Sequence, residues 1–322
     1  MPDAPEDAAG YPAADYTGVF THFGAEQVPD RSVYLWSPVF PCLVGGHRAV
    51  IKRTRRTPEG AAAVAAVTRD WLARGIPVVT ALELSVDNPV RFEEKHWVAY
   101  PFIEGERYAA RFDEIEAAGT LLGRIHALGE GPARLPVLNW PDDEQALDET
   151  DAELLREVVT AQVPEPVLDR LVVVMSSFVT EVLPVLRASK LPLKNVCMDY
   201  KATNLIYTEA GPVLVDPDNG DFAPRILDLA QAALLFHTDH EDVPARPFSK
   251  GEWAAFIGAY LREVELTDDE RLLWPTALHY MLAMEGHWAF TGSPEEWEDP
   301  RQRSFLLALA NTRTDDFPLP VG

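Results

Sequence analysis

Residues 196–207 read VCMDYKATNLIY and residues 213–218 read VLVDPD. In the first stretch, Asp199 and Asn204 lie on a loop that leaves one apolar segment and enters another, and Asp216 ends a third apolar segment. Phosphoryl transfer from a nucleotide needs this set of side chains. One carboxylate accepts the proton of the attacking hydroxyl, while an amide and a second carboxylate hold magnesium against the phosphates. The ordered set therefore predicts Asp199 as the catalytic base and Asn204 and Asp216 as Mg2+ ligands.

The whole chain has the composition of a globular protein. Its 322 residues are 47% hydrophobic, enough for two domains with cores of their own. The longest uninterrupted apolar runs, such as residues 171–175, are far too short to cross a bilayer. The acidic start, MPDAPED, lacks the features of a signal peptide, and the only cysteines are Cys42 and Cys197. We therefore expect a cytoplasmic protein with no membrane partner.

The net charge of −23 is large. Its field would repel nucleic acid and anionic membrane surfaces, so we expect neither as a partner. Two interpretations of the charge stay open: it recruits a cationic substrate, or it only keeps the surface soluble. Composition alone favours solubility.

The N-terminal part alternates strand-like segments with turns. We expect a poorly ordered tail at residues 1–15 and a domain at 16–103. Its one helix begins with the cap Thr57 and ends at Gly75. The predicted strands are residues 32–36, 41–44, 48–52, 79–84 and 97–102.

From about residue 104 to residue 322 the pattern is mostly helical, interrupted by the segment 194–216. The predicted helices are residues 115–128, 152–163, 167–186, 226–236, 250–263, 268–290 and 301–311. The pattern predicts an α+β protein with a small strand-rich N-terminal lobe and a larger, mainly helical C-terminal lobe.

The chain resembles the aminoglycoside phosphotransferase family over roughly residues 20–310. The resemblance is carried by AVIK at 49–52, VAYPFIEG at 98–105, LLGRIH at 121–126, the Asp199, Asn204 and Asp216 series, and DLA at 228–230. The hinge at 100–103 and the length resemble the spectinomycin-type members. The resemblance implies a bilobal protein-kinase-like fold with ATP or GTP as phosphoryl donor.

In this family, the lysine at the position of Lys52 pairs with the nucleotide phosphates, and its usual partner is a helix glutamate. Here Ala65 takes the place of that glutamate, and the only Glu on the helix is Glu59 in its first turn. Three possibilities stay open: Glu59 reaches Lys52, another carboxylate substitutes, or the ion pair is missing.

The resemblance also implies a nucleotide-binding segment and hinge. Ser32 lies where the family turns its backbone over the phosphates, yet no G-x-G-x-x-G or P-loop motif is present. Ser32 is thus either a phosphate contact or an ordinary turn serine. We assign Tyr100, Phe102 and Ile103 to the nucleotide-binding hinge.

The catalytic loop departs from the family pattern at two positions. The family usually has His two residues before the catalytic Asp, where this chain has Cys197. Lys201 stands where many members have His, and we expect it to neutralise charge during transfer. Asp228 is expected to anchor the loop by hydrogen bonds, and His126 to be structural.

The family builds its acceptor site from C-terminal helices, with acidic side chains for amino groups. Asp239, Glu285 and Trp288 are the candidates here. The expected function is therefore a small-molecule kinase acting on a hydroxyl of a cationic, polyhydroxylated natural product such as an aminoglycoside-like antibiotic. The alternatives are a metabolic kinase for choline, homoserine or a sugar, and a pseudokinase-type ligand-binding module.

Overall fold

The computed structural model describes residues 10–34, 37–128, 131, 134–141, 149–238, 243–291 and 297–320. The chain divides into two compact units. The first contains Met1–Gly105, Gly131–Pro136 and Val213–Asp218, and the second contains Glu106–Glu130, Val137–Pro212 and Asn219–Gly322. The segment that carries Asp216 therefore belongs to the first unit, whereas the division by sequence placed it in the C-terminal domain.

The first unit is built on an antiparallel sheet. Its strands are β1 (Ala25–Glu26), β2 (Val39–Val44), β3 (His47–Thr54), β4 (Val90–Phe92) and β5 (Lys95–Pro101), and its helices are α1 (Thr17–Phe23) and α2 (Pro58–Ala73). The strand order is β1-β2-β3-β5-β4. Gly45 and Gly46 join β2 to β3 with φ of 58° and 78°, as a tight hairpin turn requires. The Thr57 side chain caps α2 by accepting from the N–H of Gly60.

Strand β5 is buried on both faces. Trp97 and Ala99 join one apolar core, and Val98 joins a second core together with Ala65 of α2. This alternation follows from the two-residue period of a strand. Val98 is paired with Lys52 across the sheet, so the side chain of Lys52 lies on the same face as α2.

Two predicted strands are wrong. Residues 79–84 lie outside every strand and make only scattered backbone bonds, such as Leu82 N–H to the Ala99 carbonyl. Ser32 lies outside every strand, residues 33–34 form a bend, and residues 35–36 lie outside the described residues. The Ser32 hydroxyl binds backbone groups of Tyr34 and Val39 that a strand ladder would otherwise have used.

The described part of the predicted tail is ordered. Tyr11 is buried in the core beside α1, and Ala13–Tyr16 forms a 3-10 helix. The expectation of a poorly ordered tail is therefore wrong for residues 10–15. Residues 1–9 lie outside the described residues.

The second unit is mainly helical, with short strands. Its helices are α3 (Phe112–Ala127), α4 (Glu149–Val159), α5 (Glu165–Ser177), α6 (Leu183–Ala188), α7 (Arg225–Leu235), α8 (Lys250–Tyr260), α9 (Asp268–Thr291) and α10 (Pro300–Asn311). The strands after residue 105 are β6 (Glu106–Arg107), β7 (Leu193–Val196), β8 (Leu205–Thr208), β9 (Gly211–Leu214) and β10 (Asp221–Pro224). Antiparallel pairs form between β7 and β10 and between β6 and β8. The predicted α+β class is confirmed.

Helices α3 and α8 approach closely because α3 carries glycine at the contact. A Cβ on Gly119 would lie 2.3 Å from the carbonyl oxygen of Phe256, and one on Gly123 would lie 2.8 Å from that of Tyr260. No side chain fits between these backbones. The packing fixes His126, at the end of α3, beside the end of α8.

Helices α5 and α6 belong to one long helical run. A π-helical turn at Phe178–Val182 links α5 to α6, where the sequence predicted one helix. Among the described residues, the combined run Glu165–Ala188 is long and apolar enough to cross a membrane by length and composition alone. The core helix of a soluble protein meets the same criterion, and 39% of the apolar window of this run is buried inside the protein.

Candidate active site

The catalytic loop follows β7 and turns sharply before Asp199. Met198 has φ of 49°, a left-handed conformation that non-glycine residues seldom adopt. The Asp228 carboxylate holds this turn, because its two oxygens accept from the N–H groups of Cys197 at 2.7 Å and Met198 at 2.9 Å. The expected anchoring role of Asp228 matches this geometry.

Asp228 is itself fixed by a buried chain of polar groups. His126 Nε2 lies 3.0 Å from Asp228 Oδ2, and His126 Nδ1 lies 3.0 Å from the Tyr260 hydroxyl. His126 and Asp228 are fully buried. These hydrogen bonds connect the ends of α3 and α8 to the catalytic loop, so His126 has the structural role expected of it.

The Asp199 carboxylate is held by two side-chain amides. Asn204 Nδ2 donates to the backbone oxygen of Asp199 at 2.9 Å and to its Oδ2 at 3.0 Å. Asn219 Nδ2 donates to the same Oδ2 at 3.0 Å. Lys201 Nζ lies 3.3 Å from Oδ1. The structure thus brings Asp199, Lys201 and Asn204 together, and their roles in catalysis and metal binding stay predictions.

Cys197 fills the position where the family usually has His. Its side chain is buried, and burial together with the neighbouring Asp228 raises the pKa of the thiol. The thiol therefore stays neutral. The loop is held through backbone N–H groups rather than through this side chain, which explains how cysteine is accommodated.

In the first unit, Lys52 lies between two carboxylates. Its Nζ is 2.6 Å from Asp216 Oδ1 and 3.2 Å from Asp218 Oδ2. Burial alone would lower the pKa of this amine, but the charges of Asp216 and Asp218 and the hydrogen bond to Asp216 outweigh it and raise the pKa. Lys52 is therefore a fixed positive charge.

Of the three possibilities for the partner of Lys52, the structure supports substitution by another carboxylate. Glu59 is exposed and forms no ion pair with any described residue. Ala65 packs in the apolar core with Val98. Asp216 and Asp218 supply the negative charge instead.

The predicted nucleotide contacts have other partners in the structure. The Tyr100 side chain is buried, and its hydroxyl donates to Asp218 Oδ1 at 2.7 Å. Burial and the charge of Asp218 raise the pKa of this phenol, so it remains a donor. The Phe102 ring is covered by the Arg48 guanidinium at 3.7 Å. Contact of Tyr100 or Phe102 with a nucleotide stays a prediction.

Ile103 and Ser32 also have structural environments of their own. Ile103 is partly buried against the core around Val98. The Ser32 hydroxyl accepts from the N–H of Val39 at 2.9 Å and donates to the carbonyls of Tyr34 and Ser37. These bonds favour the turn-serine alternative for Ser32.

The candidate acceptor residues on α9 share one helix face. Glu285 and Trp288 are three residues apart, and Trp288 is 50% exposed. Burial and the charge of Asp199, partly opposed by Lys201, raise the pKa of Glu285 to about 7. Glu285 is therefore electrostatically coupled to the catalytic loop. Asp239 lies outside the described residues.

The predicted metal ligands have suitable chemistry. The amide nitrogen of Asn204 donates to Asp199, which leaves the amide oxygen of Asn204, Oδ1, as a candidate metal ligand. The Asp216 side chain is 32% exposed and keeps one oxygen, Oδ2, that is not used by Lys52. Hard oxygen donors in small number fit Mg2+, which takes its other ligands from water and phosphate.

Sequence reasoning missed Asn219, and it did not pair Tyr100, assigned to the nucleotide-binding hinge, with Asp218. Asn219 lies twenty residues from Asp199, and Tyr100 lies 118 residues from Asp218. The repeated acidic and amide residues of DPDNGD at 216–221 were the available signal. Nothing local in that signal shows which side chain is buried.

The comparisons with known proteins indicate a phosphotransferase enzyme that acts on a hydroxyl group. The family model described as the phosphotransferase enzyme family, APH, matches residues 39–274. The chain belongs to this family, so the resemblance found in the sequence is confirmed.

Solved structures of similar fold extend the comparison. An amicoumacin kinase in complex with AMP-PNP, Ca2+ and Ami is 17% identical, with TM-score 0.66, covering 95% of this chain and 94% of that one. A microcompartment-associated aminopropanol kinase is 12% identical, with TM-score 0.60 and coverage of 92% and 94%. Spectinomycin phosphotransferase APH(9)-Ia, in complex with ADP and spectinomycin, is 13% identical, with TM-score 0.58 and coverage of 93% and 97%. No curated protein matches.

Proposed function

We propose that this phosphotransferase is a small-molecule kinase that transfers the γ-phosphoryl group of Mg-ATP or Mg-GTP to a hydroxyl of a cationic, polyhydroxylated acceptor such as an aminoglycoside-like antibiotic. The observation that carries the proposal is the carboxylate of Asp199, held by two amides beside the ammonium group of Lys201. A catalytic base needs such a fixed orientation.

Asp199 orients the acceptor hydroxyl and takes its proton. As the bond from the acceptor oxygen to phosphorus forms, the bond from phosphorus to the β-phosphate oxygen breaks and the nucleoside diphosphate leaves. The proton moves to Asp199 late, because the transition state is loose and the attacking oxygen becomes acidic only as its bond to phosphorus develops. Lys201 offsets the negative charge of the transferred group.

Lys52 binds the nucleotide phosphates as a fixed positive charge. Asn204 and Asp216 would hold the Mg2+ ion, which neutralises phosphate charge when bound. The oxygen donors of both side chains, described above, support this assignment.

Glu285 and Trp288 bind the cationic part of the acceptor in this proposal. An ionised Glu285 attracts an ammonium group, and the Trp288 ring offers a cation–π surface one helical turn away. The net charge of −23 supports a cationic acceptor, since it raises the local concentration of cations.

A metabolic kinase is the second candidate. The fold similarity to an aminopropanol kinase favours it, because the same Glu285 could receive the amine of a small amino alcohol. A pseudokinase is opposed by the presence of Lys52, Asp199, Asn204 and Asp216 together, since a protein without transfer activity needs no base.

A thermal-shift screen tests the proposal. Amino-sugar and nucleoside antibiotics, choline, homoserine, small amino alcohols and neutral sugars are each added with Mg-ATP or Mg-GTP. Compounds that shift the melting temperature are then incubated with the enzyme, and the mass gain of one phosphoryl group is scored. The matched control is the Asp199→Asn variant.

Each outcome decides between the candidates. Phosphorylation of a polyhydroxylated amine, with a KM for this acceptor that rises with salt, supports the proposal. Phosphorylation of choline, homoserine or a sugar supports the metabolic kinase. Nucleotide binding without product from any acceptor supports the pseudokinase.

A further inference from the structure

Lys52 contacts two carboxylates that differ in their surroundings. We propose that Asp218, held in place by Tyr100, is the permanent partner of Lys52 and positions its ammonium group for the nucleotide phosphates. This inference rests on the proposed function, because it names a positioning residue for the same nucleotide site. Asp216 is then the exchangeable partner.

The exposure of the two carboxylates separates their roles. The Asp218 side chain is 9% exposed, whereas that of Asp216 is 32% exposed. A buried carboxylate is closed to a hydrated ion, while a half-buried one can exchange a lysine contact for a metal. Asp216 can therefore leave Lys52 when Mg-nucleotide binds.

The hydrogen bonds of Asp218 fix it from two sides. Tyr100 donates to its Oδ1 at 2.7 Å, and Arg56 Nε donates to its backbone oxygen at 2.6 Å. Its Oδ2 meets Lys52 Nζ at 3.2 Å in an ion-pair contact that lacks the alignment of a hydrogen bond. Both carboxylate oxygens thus face donors from the protein.

Tyr100 places Asp218 by means of the core. Its ring packs with Val98 and Ala65 on the α2 face of the sheet, the face that also carries Lys52. The position of its hydroxyl is therefore set by packing in this apolar core. A helix carboxylate is not needed, and Ala65 fills the space with an apolar group.

Lys52 needs a negatively charged partner at all times because its ammonium group is buried. Its side chain is 10% exposed, and an ammonium group without a counter-charge at such a site is costly. If Asp216 turned to a metal and no second carboxylate remained, Lys52 would lose its orientation. Asp218 keeps one charge-assisted contact throughout.

The experiment uses the full-length enzyme and the variants Asp218→Asn, Tyr100→Phe and Glu59→Gln. Mg-ATP affinity is measured by calorimetry without acceptor, and KM and kcat are measured with it. We expect Asp218→Asn to weaken Mg-ATP binding by about 10- to 100-fold, because the buried ammonium group of Lys52 would lose one of its two counter-charges. Tyr100→Phe should weaken it by about 3- to 10-fold. Glu59→Gln, the matched carboxylate of α2, should leave it unchanged.

Double variants distinguish positioning from general stability. If Asp218 acts through Lys52, Asp218→Asn should weaken Mg-ATP binding no further in a Lys52→Met background. Tyr100→Phe should likewise add nothing to Asp218→Asn. If Asp218 had only a structural role, Asp218→Asn would instead lower the melting temperature. The Mg-ATP affinity of the folded variant and its KM for the acceptor would then both stay at the wild-type values.

The outcomes separate this inference from the proposed function. If the wild-type protein binds no Mg-nucleotide, both the kinase proposal and this inference are overturned. Melting temperatures of the Lys52→Met and Asp218→Asn variants and of the double variant then report only on the ion pair between the two residues. Normal wild-type binding with unchanged affinity in Asp218→Asn overturns this inference and leaves the kinase proposal standing. An undiminished effect of Asp218→Asn in the Lys52→Met background also overturns it.

Discussion

The carboxylate of Asp228 accepts a 2.9 Å hydrogen bond from the N–H of Met198, the residue whose left-handed backbone precedes Asp199, the proposed catalytic base. The conformation of Met198 is unfavourable for a non-glycine residue, so surrounding contacts must maintain it. Asp228 provides such a contact from the start of α7. The backbone that leads into Asp199 is therefore held by a side chain from a helix about 30 residues further along the chain.

Asp228→Asn should lower kcat by about 10- to 100-fold, because one of two backbone N–H groups would face an amide nitrogen instead of an oxygen. Mg-nucleotide affinity should change little, since among the described residues the hydrogen bonds of the Asp228 carboxylate go to the catalytic loop and to His126. Steady-state kinetics and calorimetry check the split. A loss confined to nucleotide binding would contradict the anchoring role.

Asp199→Asn should reduce turnover by about 10²- to 10⁴-fold, the usual contribution of a positioned general base. Nucleotide binding should remain close to that of the wild type, because the base acts on the acceptor. Glu209→Gln, in the exposed turn after β8, is the control and should have wild-type turnover. A loss below about tenfold would show that Asp199 is not the base.

The KM for an acceptor whose amines stay protonated should fall as the pH rises through 7. Glu285 has a pKa of about 7, so its ionised fraction grows about tenfold between about pH 6 and pH 8. An ionised carboxylate attracts an ammonium group, and a neutral one does not. Glu285→Gln should weaken acceptor binding above pH 7 and flatten the pH dependence. An identical profile in wild type and variant would exclude Glu285 from the acceptor site.

Glu285→Gln should also stabilise the free protein at alkaline pH. The pKa of Glu285 is raised in the folded state from an ordinary 4.5, so the folded protein favours the neutral carboxyl and loses stability as pH rises through about 4.5 to 7. Above that window the variant should gain about 1–3 kcal/mol, and below pH 4.5 the difference should vanish. Urea unfolding at a series of pH values measures it, and a variant less stable at pH 8 would refute the sign.

Gly119→Ala should destabilise the second unit by about 1–3 kcal/mol or more, because the added Cβ would meet the Phe256 carbonyl oxygen at 2.3 Å. Gly258→Ala on α8 is the matched control, since no atom lies within 4 Å of its added Cβ. The control should be neutral or slightly stabilising, as alanine favours a helix. Thermal unfolding of both variants tests the pair, and equal melting temperatures would contradict close packing of α3 on α8.

Local signals in the sequence predicted most of the elements. The Thr57 cap, the Gly45-Gly46 turn and the helical spacing of residues 115–128 each depend on a few neighbouring residues, and each is present in the structure. The strand predicted at residues 79–84 is absent because a strand depends on more than its own residues. Its residues favour an extended backbone, but a strand exists only where a partner strand supplies a ladder.

The sequence by itself determined the class of chemistry, because the order and types of Asp199, Asn204, Asp216 and Lys52 reflect what phosphoryl transfer requires. Only the tertiary structure decided how these side chains are held. The partner of Lys52 lies 164 residues away at Asp216, with Asp218 beside it, and Asn219 reaches Asp199 across twenty residues. Such pairs depend on which buried positions the cores bring together, and burial is a property of packing that no short stretch of sequence contains.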